Sequence, residues 1–488
     1  MELFESGACD LAIKIKTGTI SSEEVTKAVL QKIEQREYDI NAYITTTPEL
    51  ALKRAKSIDI QRIQGKDIGL LGGIPMAIKD SIITAGIRTT AGSHILENFI
   101  PPYNAHVIDK LLDAGAVIVG KTNTDEFTMG STCETSYFKP ARNPHNTGRV
   151  TGGSSGGSAA ALAAHECIAA LGSDTGGSIR QPASFCGITG IKPTYGRVSR
   201  YGLIAYASSL DQIGPMTKSV KDSALVLSVI AGYDNRDSTC LNEPVPDYLT
   251  EIDSGISGIK IGLPKEYFEE GLDSEVCDIT MKAVEIMKSE GAEFIDISLP
   301  HTEYAIPTYY LLATAEASAN LERYDGVRYG YRAENPENLY DMYCKSRSEG
   351  FGIEVKRRIM LGTYCLSAGY YDAYYRKAQK VRRLIKEDFD KAFKTVDAIL
   401  TPVSPTPAFP LGSKINDPLQ MYLADIYTIS LNLAGLPGIS VPAGKTSDNL
   451  PVGVQFMGRV LDENLLFRLA YALERNVGTS LTYEGAVV

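Results

Sequence analysis

The densest cluster of residues that could do chemistry is the stretch 151–158, which reads Thr-Gly-Gly-Ser-Ser-Gly-Gly-Ser. It contains the pattern Gly-x-Ser-x-Gly twice, around Ser154 and around Ser155, and this pattern is typical of a serine nucleophile on a sharp turn. Such a nucleophile normally works with a histidine base. The chain has five histidines, and the only one beyond residue 165 is His301, next to Pro300. The distribution of histidines therefore argues against a histidine-dependent hydrolase.

Two other interpretations of this stretch remain open. Glycine-rich loops that lead into a helix can bind anions through their backbone N–H groups. However, the stretch 151–158 contains no lysine, and the chain has no GxxxxGK[ST] motif. The second interpretation is a purely structural loop, although four glycines in front of an alanine-rich helix are more than a turn needs.

A serine that works with a lysine is a further possibility, and two other groups of residues favour it. The second glycine loop, 174–178, offers consecutive backbone N–H groups beside the hydroxyl of Ser178, and such donors can converge on the oxyanion of an acyl transfer. Lys79 ends the apolar, strand-like run that begins at residue 73, so its ammonium group should be partly desolvated. Desolvation lowers the pKa of a lysine toward that of a useful base. A lysine at this place could also be an ion-pair partner of Asp80.

The order of predicted helices and strands indicates the framework that must hold these residues. Ser21 and Glu24 have the spacing of a capping box, and the first 65 residues are predicted to be helical. From about Gly69 onward, short apolar strands alternate with helices, which predicts an α/β sheet covered by helices on both faces. The predicted units are a helix at 107–112 with a strand at 116–119, a helix at 158–164, strands at 259–263 and 294–299 around a helix at 279–289, and further helix–strand alternation at 389–400 and 453–474.

The chain has 488 residues, of which 44% are hydrophobic and 22% charged, and this composition is typical of a globular protein. It contains no internal repeat and no low-complexity linker, so we expect one large domain over 1–488. Within it we distinguish a helical N-terminal part (1–65), a core (66–215) and a tyrosine-rich helical insertion (303–380). The tyrosines of the insertion could line a pocket or pack the helices with their hydroxyls outward.

The charge and the cysteines exclude several classes of function. The net charge is −10, so the chain by itself is poorly suited to neutralise the phosphates of a nucleic acid. The eight cysteines are scattered without a CxxC pair, which argues against a disulfide framework and against a metal site. The sequence begins without a signal-peptide pattern and has no run of 18 apolar residues. We therefore expect a cytoplasmic protein without a membrane segment.

Lys79, the stretch 151–158 and the segment Gly-Ser-Asp-Thr-Gly-Gly-Ser-Ile-Arg-Gln-Pro-Ala at 172–183 together resemble the signature of the amidase-signature family. Ser154 and Ser178 are 24 residues apart, which matches the spacing in that family. The resemblance covers nearly the whole chain and implies the amidase-signature fold, with a large mixed central β-sheet. Within the family, the chain most resembles the glutamine-hydrolysing A subunits of tRNA-dependent amidotransferases. The segments that carry this closer resemblance are 125–131, 192–200, 208–215, 323–330 and 348–352.

The resemblance implies a role for each residue of the reaction centre. Ser178 would be the nucleophile, Ser154 a bridging serine that follows a cis peptide bond, and Lys79 the base. Ser155 and Arg180 would support these residues without reacting. The oxyanion would be bound by backbone N–H groups of Thr175, Gly176, Gly177 and Ser178.

The same resemblance implies glutamine as the substrate, anchored by Tyr309, Arg358 and Asp425. A guanidinium suits the α-carboxylate and an aspartate suits the α-ammonium group. The implied partners are a B subunit, which would bind Glu-tRNA(Gln) and use ATP and Mg²⁺, and a small C subunit. No cofactor is expected in this chain itself. The sequence leaves open whether Asp-tRNA(Asn) is amidated as well.

Two alternatives belong to other classes of function. The chain could be a free-standing amidase that acts on another carboxamide, in which case it would hydrolyse simple amides and ignore glutamine. It could also be a non-enzymatic assembly protein with an inactive site. The presence of Lys79, Ser154 and Ser178 together argues against the second alternative.

Overall fold

The structure of the chain is a computed structural model, and it describes residues 3–269, 271–415 and 417–478. Within these ranges the chain forms 15 α-helices. They are α1 (Ala8–Thr17), α2 (Ser22–Ile40), α3 (Pro48–Ile63), α4 (His106–Asp113), α5 (Gly156–Ala163), α6 (Arg180–Cys186), α7 (Val220–Ile230), α8 (Ser274–Ser289), α9 (Ala305–Asn320), α10 (Leu339–Gly350), α11 (Ile353–Leu366), α12 (Lys377–Ala392), α13 (Pro418–Leu423), α14 (Ile426–Ala434) and α15 (Glu463–Val477).

The same ranges contain 13 β-strands. They are β1 (Tyr43–Thr46), β2 (Pro75–Lys79), β3 (Val117–Thr122), β4 (Arg142–Asn143), β5 (Asn146–Val150), β6 (Ala169–Asp174), β7 (Thr189–Lys192), β8 (Gln212–Thr217), β9 (Lys260–Pro264), β10 (Glu293–Ile297), β11 (Ala398–Pro402), β12 (Gly438–Lys445) and β13 (Pro451–Met457).

Eleven of these strands form one sheet in the order β1-β3-β2-β6-β8-β7-β12-β13-β11-β9-β10, and β4 pairs with β5 separately. The sheet is mixed. Strand β2 runs parallel to both β3 and β6, whereas β6 and β8 are antiparallel. The predicted large mixed sheet of an α/β protein is therefore confirmed. Strand β2, which ends at Lys79, lies inside the sheet with a hydrogen-bonded strand on each side.

Helices cover both faces of the sheet, as predicted, and the alternation of side chains along the strands explains why. In β11, Ala398 and Leu400 belong to one hydrophobic core, together with residues of α8 and α15. Ile399, between them, belongs to a second core that includes residues of α9, α12 and α14. Because successive strand residues point to opposite faces, a strand with apolar residues at consecutive positions must be covered on both sides.

The predicted local signals are confirmed at several points. At the start of α2, the Ser21 hydroxyl accepts the Glu24 N–H at 3.1 Å, and the Glu24 carboxylate accepts the Ser21 N–H at 2.8 Å, which is a complete capping box. The tyrosine-rich segment 303–380 is mainly helical and contains α9, α10 and α11. It also contains a π-helical turn at Asp372–Arg376.

The prediction that the first 65 residues are helical is wrong over Tyr43–Thr46, which forms strand β1. This strand lies at the edge of the sheet and pairs antiparallel with β3. Its four residues, Tyr-Ile-Thr-Thr, are good strand formers, but they lie between two long helices. No helix in the described ranges has the length and apolar character needed to span a membrane.

Candidate active site

Lys79 lies at the end of β2 with its side chain fully buried, and it contacts three serines. Its Nζ atom donates to the hydroxyls of Ser154 at 2.8 Å, Ser155 at 2.9 Å and Ser173 at 3.0 Å. The alternative pairing of Lys79 with Asp80 is not observed, because the Asp80 carboxylate lies 3.5 Å from the ammonium group of a different lysine. The structure therefore places Lys79 in contact with the proposed bridging serine.

The surroundings of Lys79 favour the neutral amine. Burial lowers the pKa of Lys79 to about 7, although nearby acidic residues, among them Asp125 and Asp174, oppose this shift. Lys79 donates to hydroxyls and to one backbone carbonyl, and no salt bridge joins it to a carboxylate in the part of the chain that the structure describes. A lysine with a pKa near 7 can accept a proton at neutral pH.

The loop 151–158 is held by its own chain. The Gly153–Ser154 peptide bond is cis, as the resemblance implies. The N–H groups of Gly153, Ser155 and Gly157 donate to acceptors within the protein at 2.9, 3.1 and 3.2 Å. These amides are therefore engaged and do not form a phosphate cradle, and the direct contact of Ser154 with Lys79 makes a purely structural loop a poor description.

The turn that carries Ser178 is organised by the carboxylate of Asp174, the last residue of β6. This carboxylate accepts the N–H of Gly177 at 2.8 Å and of Ile179 at 3.2 Å, on either side of Ser178. It also accepts the Nε–H of Arg180 at 3.1 Å. Burial disfavours the charged carboxylate, but the Arg180 guanidinium outweighs this effect and lowers the pKa of Asp174 to about 2. The ionised Asp174 thus holds the turn in place.

Three of the four amides expected to bind the oxyanion are available. The N–H of Gly177 donates to Asp174, whereas the N–H groups of Thr175, Gly176 and Ser178 have no acceptor among the described residues. Gly177 has a φ of 133°, and a Cβ atom there would lie 2.2 Å from the Thr428 hydroxyl oxygen. The turn therefore requires glycine at this position, and Gly177 shapes the turn while its neighbours offer the donors.

A histidine base is not supported by the position of His301. The Nδ1 atom of His301 lies 2.9 Å from the Asp388 carboxylate, in the short 3₁₀ turn Pro300–Tyr304. The residue in contact with the hydroxyl of Ser154 is Lys79. Among the described residues, the serine loop is therefore in contact with Lys79, whereas His301 is paired with Asp388.

Tyr309, on α9, lies directly against the Ser178 turn. A Cβ atom on Gly176 would be 2.8 Å from the Tyr309 hydroxyl oxygen, so Gly176 allows the tyrosine to approach the backbone. Burial raises the pKa of Tyr309 well above its usual value, so the hydroxyl keeps its proton. The structure thus brings Tyr309 to the proposed reaction centre.

Arg358, on α11, is buried and held by two side chains. Its Nε–H donates to the Glu354 carboxylate at 2.8 Å, and its Nη1 donates to the Tyr206 hydroxyl at 2.8 Å. No acceptor for Nη2 is found in the part of the chain that the structure describes. The guanidinium is therefore oriented, with part of its donor edge uncommitted.

Asp425 immediately precedes α14 and is buried. Its Oδ2 atom accepts a hydrogen bond from the Ser131 hydroxyl, and its buried Oδ1 atom has no partner among the described residues. Burial raises the pKa of Asp425 to about 7, although its bond to Ser131 and the charge of Arg358 oppose the shift. An unpaired buried carboxylate oxygen is costly unless a donor satisfies it, so Asp425 suits a cationic ligand.

A cavity of about 270 Å³ lies beside these residues. Its lining includes Ser131 and Arg358, and is formed by the loop 126–135, the start of α11 and residues of α13. The cavity adjoins the serine loop, because Thr132 lines the cavity and packs against Gly153 of that loop. A Cβ atom on Gly153 would lie 2.5 Å from the Thr132 backbone nitrogen. Across the described residues, no three His, Cys, Asp or Glu side chains are grouped so that they could hold a metal ion.

Several residues of this site were not assigned a role by sequence reasoning. Ser131, Ser173 and Asp174 lie inside segments that carry the family resemblance, so the motif could have indicated them. Tyr206 and Glu354 have no signal in the sequence, because what distinguishes them is a contact with Arg358 that the fold creates.

A family model described as Amidase matches residues 24–467. The chain belongs to the amidase family. This confirms the resemblance of the serine and glycine loops, and it agrees with the contact between Lys79 and Ser154. The amidase fold predicted from the resemblance is confirmed as well, since solved structures with this overall fold match nearly the whole chain.

Two relatives in the amidase family show how far the similarity extends. The A subunit of the glutamyl-tRNA(Gln) amidotransferase of Carboxydothermus hydrogenoformans is 59% identical over 98% of this chain and 98% of its own length. The protein of the same name from Geobacter sp. (strain M21) is 59% identical over 97% of this chain and 98% of its own length. The similarity thus extends over nearly the full length of this chain and of both relatives.

Solved structures from the amidase family are similar over nearly the full chain. The crystal structure of the A subunit of the glutamyl-tRNA(Gln) amidotransferase from Thermotoga maritima is 44% identical, covers 97% of this chain and 95% of its own, and has a TM-score of 0.80. The peptide amidase of Stenotrophomonas maltophilia is 31% identical, covers 97% of both chains and has a TM-score of 0.83. Proteins with these two different names therefore share the fold of this chain.

Proposed function

We propose that this chain is the glutamine-hydrolysing component of a tRNA-dependent amidotransferase, and that it hydrolyses glutamine to glutamate and ammonia. The observation that carries the proposal is the contact of 2.8 Å between the buried Lys79 amine and the Ser154 hydroxyl. This contact lies next to the Ser178 turn, because the N–H of Ser155 donates to the Ser178 carbonyl at 3.1 Å. The high identity to relatives named as A subunits of glutamyl-tRNA(Gln) amidotransferases supports the choice of reaction.

In the proposed acylation step, the Ser178 hydroxyl oxygen attacks the carbon of the glutamine carboxamide. Its proton passes to the Ser154 hydroxyl, which gives its own proton to the neutral amine of Lys79. The carbonyl oxygen becomes an oxyanion, for which the N–H groups of Thr175, Gly176 and Ser178 are the proposed donors. Such preorganised donors commonly supply the largest electrostatic stabilisation in acyl transfer.

Collapse of this intermediate breaks the carbon–nitrogen bond. The proton held by Lys79 returns through Ser154 to the leaving nitrogen, which departs as ammonia, and Ser178 is left as an acyl ester. A water molecule then attacks the ester carbon while its proton passes to Ser154 and Lys79. When the ester bond breaks, the Ser178 oxygen takes up a proton, and glutamate leaves with the site restored.

We propose that glutamine is held at its amino-acid end by the charged residues beside the cavity. Arg358 would bind the α-carboxylate, because Nη2 and the remaining proton of Nη1 can form a paired contact with it. The unpaired Oδ1 atom of Asp425 would accept the α-ammonium group. Tyr309 would close the pocket against Gly176, next to the reacting carboxamide.

The proposed complex also contains a B and a C subunit. The B subunit would bind Glu-tRNA(Gln), activate the glutamyl group with ATP and Mg²⁺, and use the ammonia to form Gln-tRNA(Gln). Asp-tRNA(Asn) is the alternative substrate of the complex. The C subunit would join the other two. The net charge of −10 supports this division, because the chain itself is a poor ligand for tRNA. We place the heterotrimer in the cytoplasm.

The test is to measure ammonia release from glutamine by the purified chain, alone and with its B and C partners. We expect activity that rises with the partners and falls to background in Ser178→Ala. Ser289→Ala serves as a matched control, because Ser289 is an exposed serine at the end of α8 and should leave the rate unchanged.

The free-standing amidase remains the second candidate, and the structural similarity to a peptide amidase favours it. Under that alternative the folded chain would release no ammonia from glutamine, with or without partners, and would hydrolyse other amides in a Ser178-dependent manner. If Ser178→Ala left ammonia release unchanged, the proposed nucleophile would be wrong.

A further inference from the structure

Glu354, in the first turn of α11, is the hub of a side-chain cluster beside the cavity. Its Oε1 atom accepts the Nε–H of Arg358 at 2.8 Å and the hydroxyl of Tyr422 at 3.0 Å. Its Oε2 atom pairs with Arg357. Both oxygens of the carboxylate are therefore engaged by donors of the protein, and Glu354 has no role in the mechanism described so far.

Three tyrosine rings surround the guanidinium that Glu354 contacts. The Arg358 guanidinium carbon lies 5.5 Å from the ring centre of Tyr206, 5.2 Å from that of Tyr310 and 5.7 Å from that of Tyr422. The rings of Tyr310 and Tyr422 are stacked, with their centres 3.8 Å apart. Rings at these distances attract a guanidinium, but they do not fix its rotation about the side-chain axis.

Hydrogen bonds fix that rotation, and Glu354 makes one of the two. With Nε bound to Glu354 and one Nη1 proton bound to Tyr206, the donors that remain are Nη2 and the other Nη1 proton. Bidentate binding of a carboxylate needs two parallel N–H groups in one plane. The outer edge of the guanidinium, between Nη1 and Nη2, is therefore the edge that can accept a carboxylate ligand.

The buried position of Arg358 makes this arrangement sensitive to its partner. The side chain of Arg358 is only 3% exposed, and that of Glu354 only 13%. Removing one member of a buried ion pair leaves the other charge uncompensated, and the remaining side chain then tends to move toward other acceptors. Without Glu354, the Arg358 guanidinium would lose both its counter-charge and the contact that sets its rotation.

We propose that Glu354 is a positioning residue that holds the Arg358 guanidinium in the orientation that selects amides with a free α-carboxylate. The inference rests on the proposed function, in which Arg358 binds the α-carboxylate of glutamine. It goes further by assigning the selectivity for amino-acid amides to the pair Glu354–Arg358 and not to Arg358 alone. Glu354 acts through Arg358 and contacts no reacting atom.

The test compares two substrates in the complete complex. Glutamine carries the α-carboxylate, whereas 4-aminobutanamide has the same amide and amino groups and lacks only that carboxylate. For Glu354→Ala we expect the KM for glutamine to rise by about tenfold to a hundredfold, with kcat changed by less than about threefold. The kcat/KM for 4-aminobutanamide should stay within about threefold of the wild type, because this substrate does not use Arg358.

A conservative variant separates positioning from a direct contact. Glu354→Gln keeps an oxygen that can accept the Nε–H of Arg358, so we expect it to recover most of the affinity for glutamine that Glu354→Ala loses. Equal losses in Glu354→Gln and Glu354→Ala would mean that the negative charge of Glu354, and not its hydrogen bond to Nε, supports glutamine binding, and positioning would be wrong. Equal losses for both substrates, or a fall in kcat as large as the rise in KM, would indicate a general structural role and would also overturn the inference.

The chain offers a matched control for Glu354→Ala. On α12, the Nε–H of Arg383 donates to Glu387 at 2.9 Å, with the same spacing of four residues, but this pair is exposed. Glu387→Ala should leave both kinetic constants unchanged. If the wild-type complex does not hydrolyse glutamine, the proposed function fails. If it does and the KM of Glu354→Ala equals that of the wild type, only the inference about Glu354 fails.

Discussion

At the scale of single residues, burial alone does not identify the base. Lys79, Lys121 and Lys192 are all buried, and burial lowers the pKa of all three, to about 7, 8 and 7. Lys121 lies 3.5 Å from Asp80, and Lys192 donates to a neighbouring backbone carbonyl. Of these three lysines, Lys79 is the one bonded to a serine of the signature loop. The chemical assignment therefore rests on the contact, and the lowered pKa of Lys79 fits the role of a proton acceptor.

Replacing Lys79 tests this assignment. We expect Lys79→Ala to lower kcat for glutamine by about 10²- to 10⁴-fold, the usual contribution of a general base, while the chain still binds its partners. The measurement is ammonia release under saturating glutamine, with co-purification of the partners as the test of folding. Turnover within a few-fold of the wild type would remove lysine from the mechanism.

The pH dependence follows from two groups whose pKa values lie at about 7, Lys79 and Asp425. Below pH 7 Lys79 becomes protonated and cannot act as the base, and Asp425 becomes protonated and cannot pair with an ammonium group. Both changes lower kcat/KM, so the value for glutamine should fall as the pH decreases below about 7. On the acid side, a plot of the logarithm of kcat/KM against pH should approach a slope of two, one for each group that takes up a proton.

The variant Asp425→Asn isolates the contribution of Lys79 to this profile. It should show a higher KM for glutamine and an acid limb with a slope of one proton, because only Lys79 still titrates. Since two such groups can influence each other, the apparent pKa values belong to the pair. A profile that is flat between pH 6 and 8 would contradict the assignment of both groups.

At the scale of elements, the turn between β6 and α6 positions the nucleophile through one carboxylate. Asp174 binds two backbone N–H groups around Ser178 and the side chain of Arg180. Arg180 in turn donates to Asn432 on α14 at 2.6 Å and to Gln455 on β13 at 2.9 Å. The turn is thus tied to the C-terminal part of the sheet by a buried network.

Breaking that network should cost stability as well as activity. We expect Asp174→Ala to lower the free energy of unfolding by about 3–5 kcal/mol, because Arg180 would remain buried without its partner. The measurement is chemical or thermal unfolding of the purified chain. Asp448→Ala is the control, since the Asp448 side chain is 73% exposed and its ion pair with Arg149 should contribute little. Equal stability of the two variants would argue against a structural role of the network.

At the scale of the whole molecule, the site joins two parts of the chain that are distant in sequence. Residues 79–178 supply the reaction centre, and residues 309–425 supply the side chains proposed to bind the substrate. The Ser131–Asp425 hydrogen bond connects residues 294 positions apart, and the Thr428 hydroxyl donates to the Gly176 carbonyl at 2.6 Å. The sheet makes this possible because β12 and β13 join β7 and β11 into one surface.

The charge of the whole molecule predicts how it meets tRNA. With a net charge of −10, the chain alone should bind tRNA only weakly at physiological salt. We expect tRNA binding to appear when the B subunit is added, measured as retention of labelled tRNA at increasing salt concentrations. Tight, salt-sensitive binding by this chain alone would contradict the proposed division of labour.

The sequence by itself was sufficient for the elements whose signals are local. The capping box of α2, the strand that ends at Lys79 and the helix after the serine loop follow from residues within a few positions of each other. The edge strand β1 was missed because four residues between two helices become a strand only through pairing with β3. The division of the chain into 1–65, 66–215 and 303–380 stays a prediction.

The sequence also determined which two serines and which lysine are the candidates for the reaction centre, because the spacing of the two glycine loops is specific to the family. Only the tertiary structure decided the contacts that give these residues their chemistry. Burial of Lys79 removes its hydration, the Asp174 carboxylate leaves three amides free for an oxyanion, and Glu354 and Tyr206 orient Arg358. The physical reason is that desolvation and hydrogen-bond geometry depend on which side chains the fold brings together, and Tyr206 and Arg358 are 152 positions apart.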